Sequence, residues 1–422
     1  MKKCSQLIEE IKANQYQDLF KSIYVDENKL NSTKERYIQA LEKFITLYGD
    51  QEVEIYSAPG RSEICGNHTD HQLGKVVAGA INLDIIAIVS KSEEIKVVSD
   101  EYDLKPIQID DLDKKEAEVG TSVGLVRGVT ARFKELGYQI GGFKAYMTSE
   151  VLQGSGLSSS AAFEVMIGTI LSGLYNEMKI DPVEIAKIGQ YSENVYFEKP
   201  CGLMDQCASS VGSLIHIDFN DDTKVTKIDV DFESFDHSLC IVDVHASHAD
   251  LTADYASIPA EMKSVAKYFN QEVLANVSEQ EFYHELPNIR KQVGDRAVLR
   301  AMHLFAENKR VDELLKALNQ GDFKTFKEII TASGNSSFKY LQNVYSNFYV
   351  DKQAVSIALA LSEQLLQDKG VCRVHGGGFA GTIQAFVEND YVETYRKEMD
   401  YYFGEGSCHV LKIRKQGGIK VL

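Results

Sequence analysis

Positive charge is scarce in this chain: 45 Lys and Arg stand against 62 Asp and Glu, a formal net charge of −17. A nucleic-acid backbone would be repelled by that balance, which excludes one class of partner but leaves room for a small anionic ligand in a locally positive site. No window approaches the roughly 18 uninterrupted apolar residues of a membrane span, so no membrane partner is expected. The N-terminus, Met-Lys-Lys-Cys-Ser-Gln-Leu-Ile-Glu-Glu, lacks the apolar run of a secretory signal. The seven cysteines (Cys4, Cys65, Cys201, Cys207, Cys240, Cys372 and Cys408) are odd in number, scattered and never spaced C-x-x-C. They describe neither a disulfide framework nor a zinc site, and a reduced cytoplasmic setting is expected. Six prolines, with no repeat, low-complexity tract or Pro-rich linker, predict compact packing.

At 422 residues, 44% apolar and 25% charged, the chain has the length for two or three domains of ordinary globular composition. Ser32-Thr33-Lys34-Glu35 has the form of a capping box, with Tyr37, Leu41, Phe44, Ile45 and Tyr48 following at helical spacing and Gly49 as the stop. Residues 5–22 read as a weaker helix, so residues 1–50 are expected to form a helical extension. Strand patterns follow at 53–57, 85–90, 95–99, 143–147 and 213–218, with helical patterns over 161–174 and 183–197. The second half reads as a strand at 239–245, helices from about 254 to 332 and over 351–368, strands at 371–375 and 382–387, then a helix over 391–403 and a strand at 409–413. Strands mixed with helices predict an α/β or α+β fold, with a domain boundary near 215–235.

Four segments carry chemistry. In Gly154-Ser155-Gly156-Leu157-Ser158-Ser159-Ser160-Ala161-Ala162 a glycine-rich turn joins a strand to a buried helix. Unpaired N–H groups at a positive helix end suit a phosphate, and the three hydroxyls can reach phosphate oxygens or a metal ion. The plain alternative is a tight turn with Ser caps. Ala58-Pro59-Gly60-Arg61-Ser62-Glu63-Ile64-Cys65-Gly66-Asn67-His68-Thr69-Asp70-His71 gathers a guanidinium, carboxylates, an amide and imidazoles between turn glycines. That density suits a polyhydroxylated ligand, although a solvated polar turn would read the same way. In Pro200-Cys201-Gly202-Leu203-Met204-Asp205-Gln206-Cys207 one carboxylate stands in an apolar, glycine-flanked turn, where it is either a general base kept ionised by a cation or a helix cap. His375-Gly376-Gly377-Gly378-Phe379-Ala380-Gly381 predicts positive φ or close backbone approach, or a simple hairpin turn.

In this order and spacing the segments resemble the signature blocks of the galactokinase branch of the GHMP small-molecule kinases, from about Glu54 to the C-terminus and including Arg300 to His303 and Glu307 to Val311. The resemblance implies a GHMP-kinase-like two-domain fold, residues 51–220 and 221–422, with ATP and a sugar meeting in the cleft between domains. It implies that Gly154, Ser155, Gly156, Leu157, Ser158, Ser159, Ser160 and Ala161 wrap the triphosphate and that Ser160 and Glu193 help hold Mg²⁺. Asp205 is expected to take the proton of the anomeric hydroxyl, and Arg61 to keep that carboxylate ionised. Asn67, His68, Asp70, Gly202 and Tyr255 are expected around the sugar. The partners implied are a small-molecule sugar and ATP, the chain acting as a monomer or weak homo-oligomer.

The departures from the pattern cluster around the sugar. Asn67 stands where the family carries a Glu and Glu63 where it carries an Asn, an exchange expected to keep a hydrogen bond while moving the negative charge away. His71 replaces a Tyr, Ala78 a Pro, and Ser333 to Lys339 depart from a segment close to SHxSLRD. Galactose is the first-choice acceptor. Another hexose or an N-acetylated amino sugar is the enzymatic rival, and a non-catalytic sugar- and nucleotide-binding regulator the rival of another class.

Overall fold

Strands Glu52–Cys65 and Lys75–Ser92 pair antiparallel into a long central hairpin, bulged between Pro59 and Arg61 and between Glu63 and Cys65. The computed structural model describes all residues except 101, 152–155, 200, 231 and 247–250. Among the described residues, nine strands form the first sheet around this hairpin. Gly142–Ser149 and Glu94–Ser99 extend it on one side, while Leu214–Asp218 pairs with the beginning of Lys75–Ser92. Both faces are covered, so the strands read as nearly unbroken apolar runs. Tyr56, Ala58, Ala87, Val89, Ala145 and Met147 meet the helices Ser122–Glu135 and Ser159–Asn176 on one face. Ile55, Ile86, Ile88 and Tyr146 meet the N-terminal helices on the other.

Residues 1–50 are thus a packing layer. Helices Cys4–Lys12, Gln17–Tyr24 and Leu30–Tyr48 seal the outer face with Leu7, Ile11, Phe20, Tyr37, Leu41 and Phe44. The single helix expected over 5–22 is two. The capping box expected at Ser32 does not form either. A 3₁₀ turn, Glu27–Lys29, held by the Asp26 side chain, starts the helix earlier, and the Ser32 hydroxyl bonds back to the Lys29 carbonyl inside it. Gly49 ends the helix with φ +82°, as expected.

Four strands form the second sheet among the described residues, in the order Gly370–Val374, Thr382–Glu388, His237–Asp243, Cys408–Leu411. Helices Ala354–Leu366 and Val392–Phe403 cover one face, and Phe323–Ser336 brings Phe326 against Phe386 on the other. The two halves share structure. Helix Asp295–Gln320 buries Ala301 and Leu304 among the C-terminal helices and Val311 and Leu314 in the core of the first half. The chain end, Ile419–Lys420, returns to pair with Glu52–Cys65 of the first sheet.

A buried charge node ties the layers. Asp84, fully buried, takes Arg36 at 2.6 Å, Arg414 at 3.1 Å and the Tyr24 hydroxyl at 2.8 Å, with the Ser57 hydroxyl also bonded to it. Burial opposes its ionisation, but the two guanidinium groups prevail and hold the carboxyl below its usual range.

Candidate active site

Arg61 leaves the central hairpin at its bulge and grips Asp205, the second residue of helix Met204–Val211, in a two-point ion pair, Nε to Oδ1 at 2.7 Å and Nη2 to Oδ2 at 2.8 Å. Its remaining nitrogen donates to the Gly156 carbonyl, so one guanidinium joins the carboxylate to the serine-rich loop. Ser158 donates its hydroxyl to the same carboxylate. That residue sits just before helix Ser159–Asn176 in the left-handed region, φ +57°, and leaves its own helix end uncapped. Burial favours the neutral form of Asp205, yet Arg61 and the Ser158 bond outweigh it and the carboxyl is held low. The sequence left Asp205 as either base or cap; its side chain makes the ion pair, not a cap.

Gly156, Leu157, Ser158, Ser159, Ser160 and Ala161 form the described part of the loop; Gly154, Ser155 and the turn residue Pro200 lie outside the described residues. Leu157 and Ala161 are buried and pack the loop down, while Ser159 and Ser160 border a cavity of about 490 Å³. Its apolar lining includes Val97, Leu104, Leu125, Met147, Phe163 and Phe197. None of these residues carries reactive chemistry, so in sequence they are indistinguishable from ordinary core.

Glu193 lies 3% exposed on a π-helical turn, Ser192–Tyr196, that prolongs helix Pro182–Tyr191. Lys199 approaches one of its oxygens at 3.2 Å and the Gln206 amide the other at 3.0 Å. The same amide nitrogen lies 3.0 Å from Glu164, whose carboxyl is pushed well above its usual range by burial and by Glu193. Glu164 and Gln206 were not foreseen; only the spacing of Glu164 four residues after Ser160, one turn along the same helix face, hinted at it.

On the opposite side of Asp205, Gly202 lies against Asp70, and a Cβ at 202 would overlap its carboxylate. Burial and the charge of Asp205 push Asp70 up to about 6. His68 donates from Nε2 to the Gly377 carbonyl at 3.0 Å, and its pKa falls to about 4 through burial. Tyr255 donates to the Gly378 carbonyl at 2.7 Å, packs edge-on against Phe379, and fills the space a Cβ at Gly377 would need. Gly376, Gly378 and Gly381 all have positive φ. The glycine cluster is therefore both the hairpin turn and the close approach expected of it.

Asn67 departs from expectation. It is fully buried, its amide donating to Glu63 at 3.1 Å and to the Gly376 carbonyl at 2.7 Å while its oxygen accepts from Asn343 at 2.8 Å and Ser337 at 3.2 Å. Glu63 is paired with the buried Arg373 at 2.7 Å. The exchanged Glu63 and Asn67 do keep a hydrogen bond, but in the interior and not as a surface offered to a ligand. Glu307 holds the backbone of the same turn, accepting from Gly66 N at 3.1 Å while paired with Arg310 at 2.7 Å.

The chain is similar to known proteins in both sequence and fold. The model of the GHMP kinases N terminal domain matches residues 124–213, and that of the galactokinase galactose-binding signature matches residues 42–91. The galactokinase of Mannheimia succiniciproducens is 31% identical over 82% of this chain and 88% of its own, and that of Streptomyces coelicolor 27% over 88% and 94%. The structure of Lactococcus lactis galactokinase complexed with galactose superposes with a TM-score of 0.78 at 26% identity, covering 90% of this chain and 98% of that one. Methanococcus jannaschii mevalonate kinase, at 17% identity and a TM-score of 0.59 over 86% and 98% of the two chains, shares the fold. The fold is that of the GHMP kinases, phosphotransferases acting on small molecules. Within that class the chain belongs to the galactokinase family and is a sugar kinase.

Proposed function

We propose that the protein transfers the γ-phosphoryl group of ATP to the anomeric hydroxyl of a hexose, D-galactose first, giving the sugar 1-phosphate and ADP. The observation that carries this reading is the Arg61–Asp205 pair, with the Ser158 hydroxyl on the same carboxylate. It joins a proton acceptor to the loop suited to phosphate. An ion-paired carboxylate is a weak base, so Asp205 chiefly orients the hydroxyl and takes its proton late, as the new P–O bond forms. Arg61 keeps Asp205 ionised and offsets charge on the phosphoryl group, while Gly156 to Ala161 offer the phosphates backbone N–H groups at a helix start. The cavity beside Ser159 and Ser160 suits a nucleoside in size and in apolar lining.

Mg²⁺ fits the residues present. Glu193 and Ser160 are hard oxygen donors, Lys199 approaches one Glu193 oxygen and the Gln206 amide the other, and Mg²⁺ characteristically takes one or two carboxylates and completes its shell with phosphate and water. When bound, it would neutralise charge on the phosphate oxygens. Asp70, His68, Gly202 and Tyr255 are read as the sugar side of the site. We also read residues 1–50, 51–220 and 221–422 as extension and two domains, supported by the passage from one sheet to the other between Ile228 and His237; the returning strand Ile419–Lys420 crosses that division.

A second acceptor is favoured by one observation. With Asn67 buried and its neighbouring carboxylate locked to Arg373, position 67 offers a sugar no side-chain contact, and an unmatched hydroxyl costs affinity. Incubation with Mg-ATP and a panel of hexoses and N-acetylated amino sugars, reading ADP, decides. Turnover with galactose alone supports the first reading, and turnover only with an amino sugar replaces it. Binding with no turnover on any acceptor would make the protein a regulator.

A further inference from the structure

We propose that Gln206 is a positioning residue for phosphoryl transfer: by gripping Glu164 and Glu193 with one amide, it fixes Glu193 at a set distance from Asp205, its neighbour in the chain. The inference rests on the reading of Glu193 as a holder of Mg²⁺. Gln206 and Glu164 are fully buried and Glu193 is 3% exposed. The amide nitrogen carries two hydrogens and lies 3.0 Å from Glu164 Oε2 and 3.0 Å from Glu193 Oε2. Three elements meet at this point: the helix that begins at the phosphate loop, the π-helical turn carrying Glu193 and the helix carrying Asp205.

Glu193 needs such a tether. It sits on a π-helical turn at the end of a helix, and its ion-pair partner, Lys199, is 62% exposed, where such a pair restrains little. The buried, charge-assisted bond from Gln206 is the stronger restraint. Space for it is provided by Gly189, where a Cβ would stand 3.2 Å from Glu164 and 3.3 Å from Gln206. The cluster is also poor as a stabilising device. Glu164 Oε1 and Gln206 Oε1 are buried with no partner among the described residues, and apolar side chains of similar volume would fill the space without that cost. Polar groups kept under those conditions are there to place Glu193.

The test uses the full-length protein and titration calorimetry of ATP with and without Mg²⁺. Gln206→Met keeps the volume and removes the donor. It is expected to weaken the Mg²⁺-dependent part of ATP affinity about tenfold, leave Mg²⁺-free ATP affinity within about twofold, and raise the Mg²⁺ needed for half-maximal turnover in parallel. Glu164→Met should reproduce this effect, the double variant should be no worse than either, and Glu164→Gln, which retains an acceptor, should recover most of the loss. Should Gln206→Met fail to fold, Glu164→Met with its Gln rescue carries the same test. Glu193→Gln separates the two ideas. If it shifts Mg²⁺ dependence and neither Gln206→Met nor Glu164→Met does, the positioning role is overturned by itself. If Glu193→Gln shifts nothing, the reading of Glu193 falls and takes the inference with it.

Discussion

Two carboxylates of the candidate site are driven in opposite directions by their surroundings. Asp205 is held ionised by Arg61, while Asp70, which no cation pairs among the described residues, is raised from 3.8 to about 6. Asp205→Asn should therefore bind sugar normally by calorimetry but lose kcat by about 10²–10⁴-fold; retention of most activity would remove Asp205 as the base. For Asp70 the sign follows from its raised value. Between pH 3.8 and about 6 the folded protein holds a proton that the unfolded chain has released, so stability falls as pH rises through that window. Asp70→Asn should be more stable than the parent by about 1–3 kcal/mol at pH 8, and the gap should close as pH drops toward 4. Denaturant titrations at both pH values check this. A sugar whose hydroxyls donate to ionised Asp70 should in turn bind progressively more weakly below about pH 6.

At the scale of elements, what could be read in advance depended on whether a segment's pattern or its surroundings determined its shape. The serine-rich loop, the Asp205 turn and the triple glycine were legible because turn chemistry is local. Helix Ser122–Glu135 was not, because Gly124 and Gly128 interrupt its pattern like breakers. In the fold they are sites of close packing, and a Cβ at Gly128 would overlap the Ser192 hydroxyl. Asn67 was legible as part of a polar turn, but its direction was not, since Glu63, Gly376, Ser337 and Asn343 come together only in the tertiary structure. Gly202 shows the same logic in a testable form. A methyl group there collides with Asp70, so Gly202→Ala should raise the sugar KM about tenfold or more by displacing that carboxylate, with the ATP KM little changed. Equal rises in both would point to a general collapse of the turn.

For the molecule as a whole, the Asp84 node matters most. It connects the N-terminal layer through Arg36 and Tyr24, the central hairpin through Asp84 itself, and the C-terminal segment through Arg414. Such a pair is weak evidence of net stabilisation, yet removing one partner leaves an under-compensated charge in the interior. Arg414→Met is expected to cost about 3–5 kcal/mol by denaturant titration, and replacing Asp84 together with Arg414 by apolar residues to cost less than Arg414→Met alone. A loss below about 1 kcal/mol for the single change would show that water reaches the node.

The return of residues 419–422 to the first sheet has a consequence for biosynthesis. Ile55 donates to the carbonyl of Leu422 at 2.8 Å and accepts from Val421 at 2.7 Å, so a strand of the first half finds this neighbour only after the whole second sheet has been synthesised. Domains generally fold as they emerge, but this first sheet keeps an open edge until residues 419–422 have been made. A chain cut short before Ile419 would keep every residue of the candidate site and lose the clasp that closes this edge.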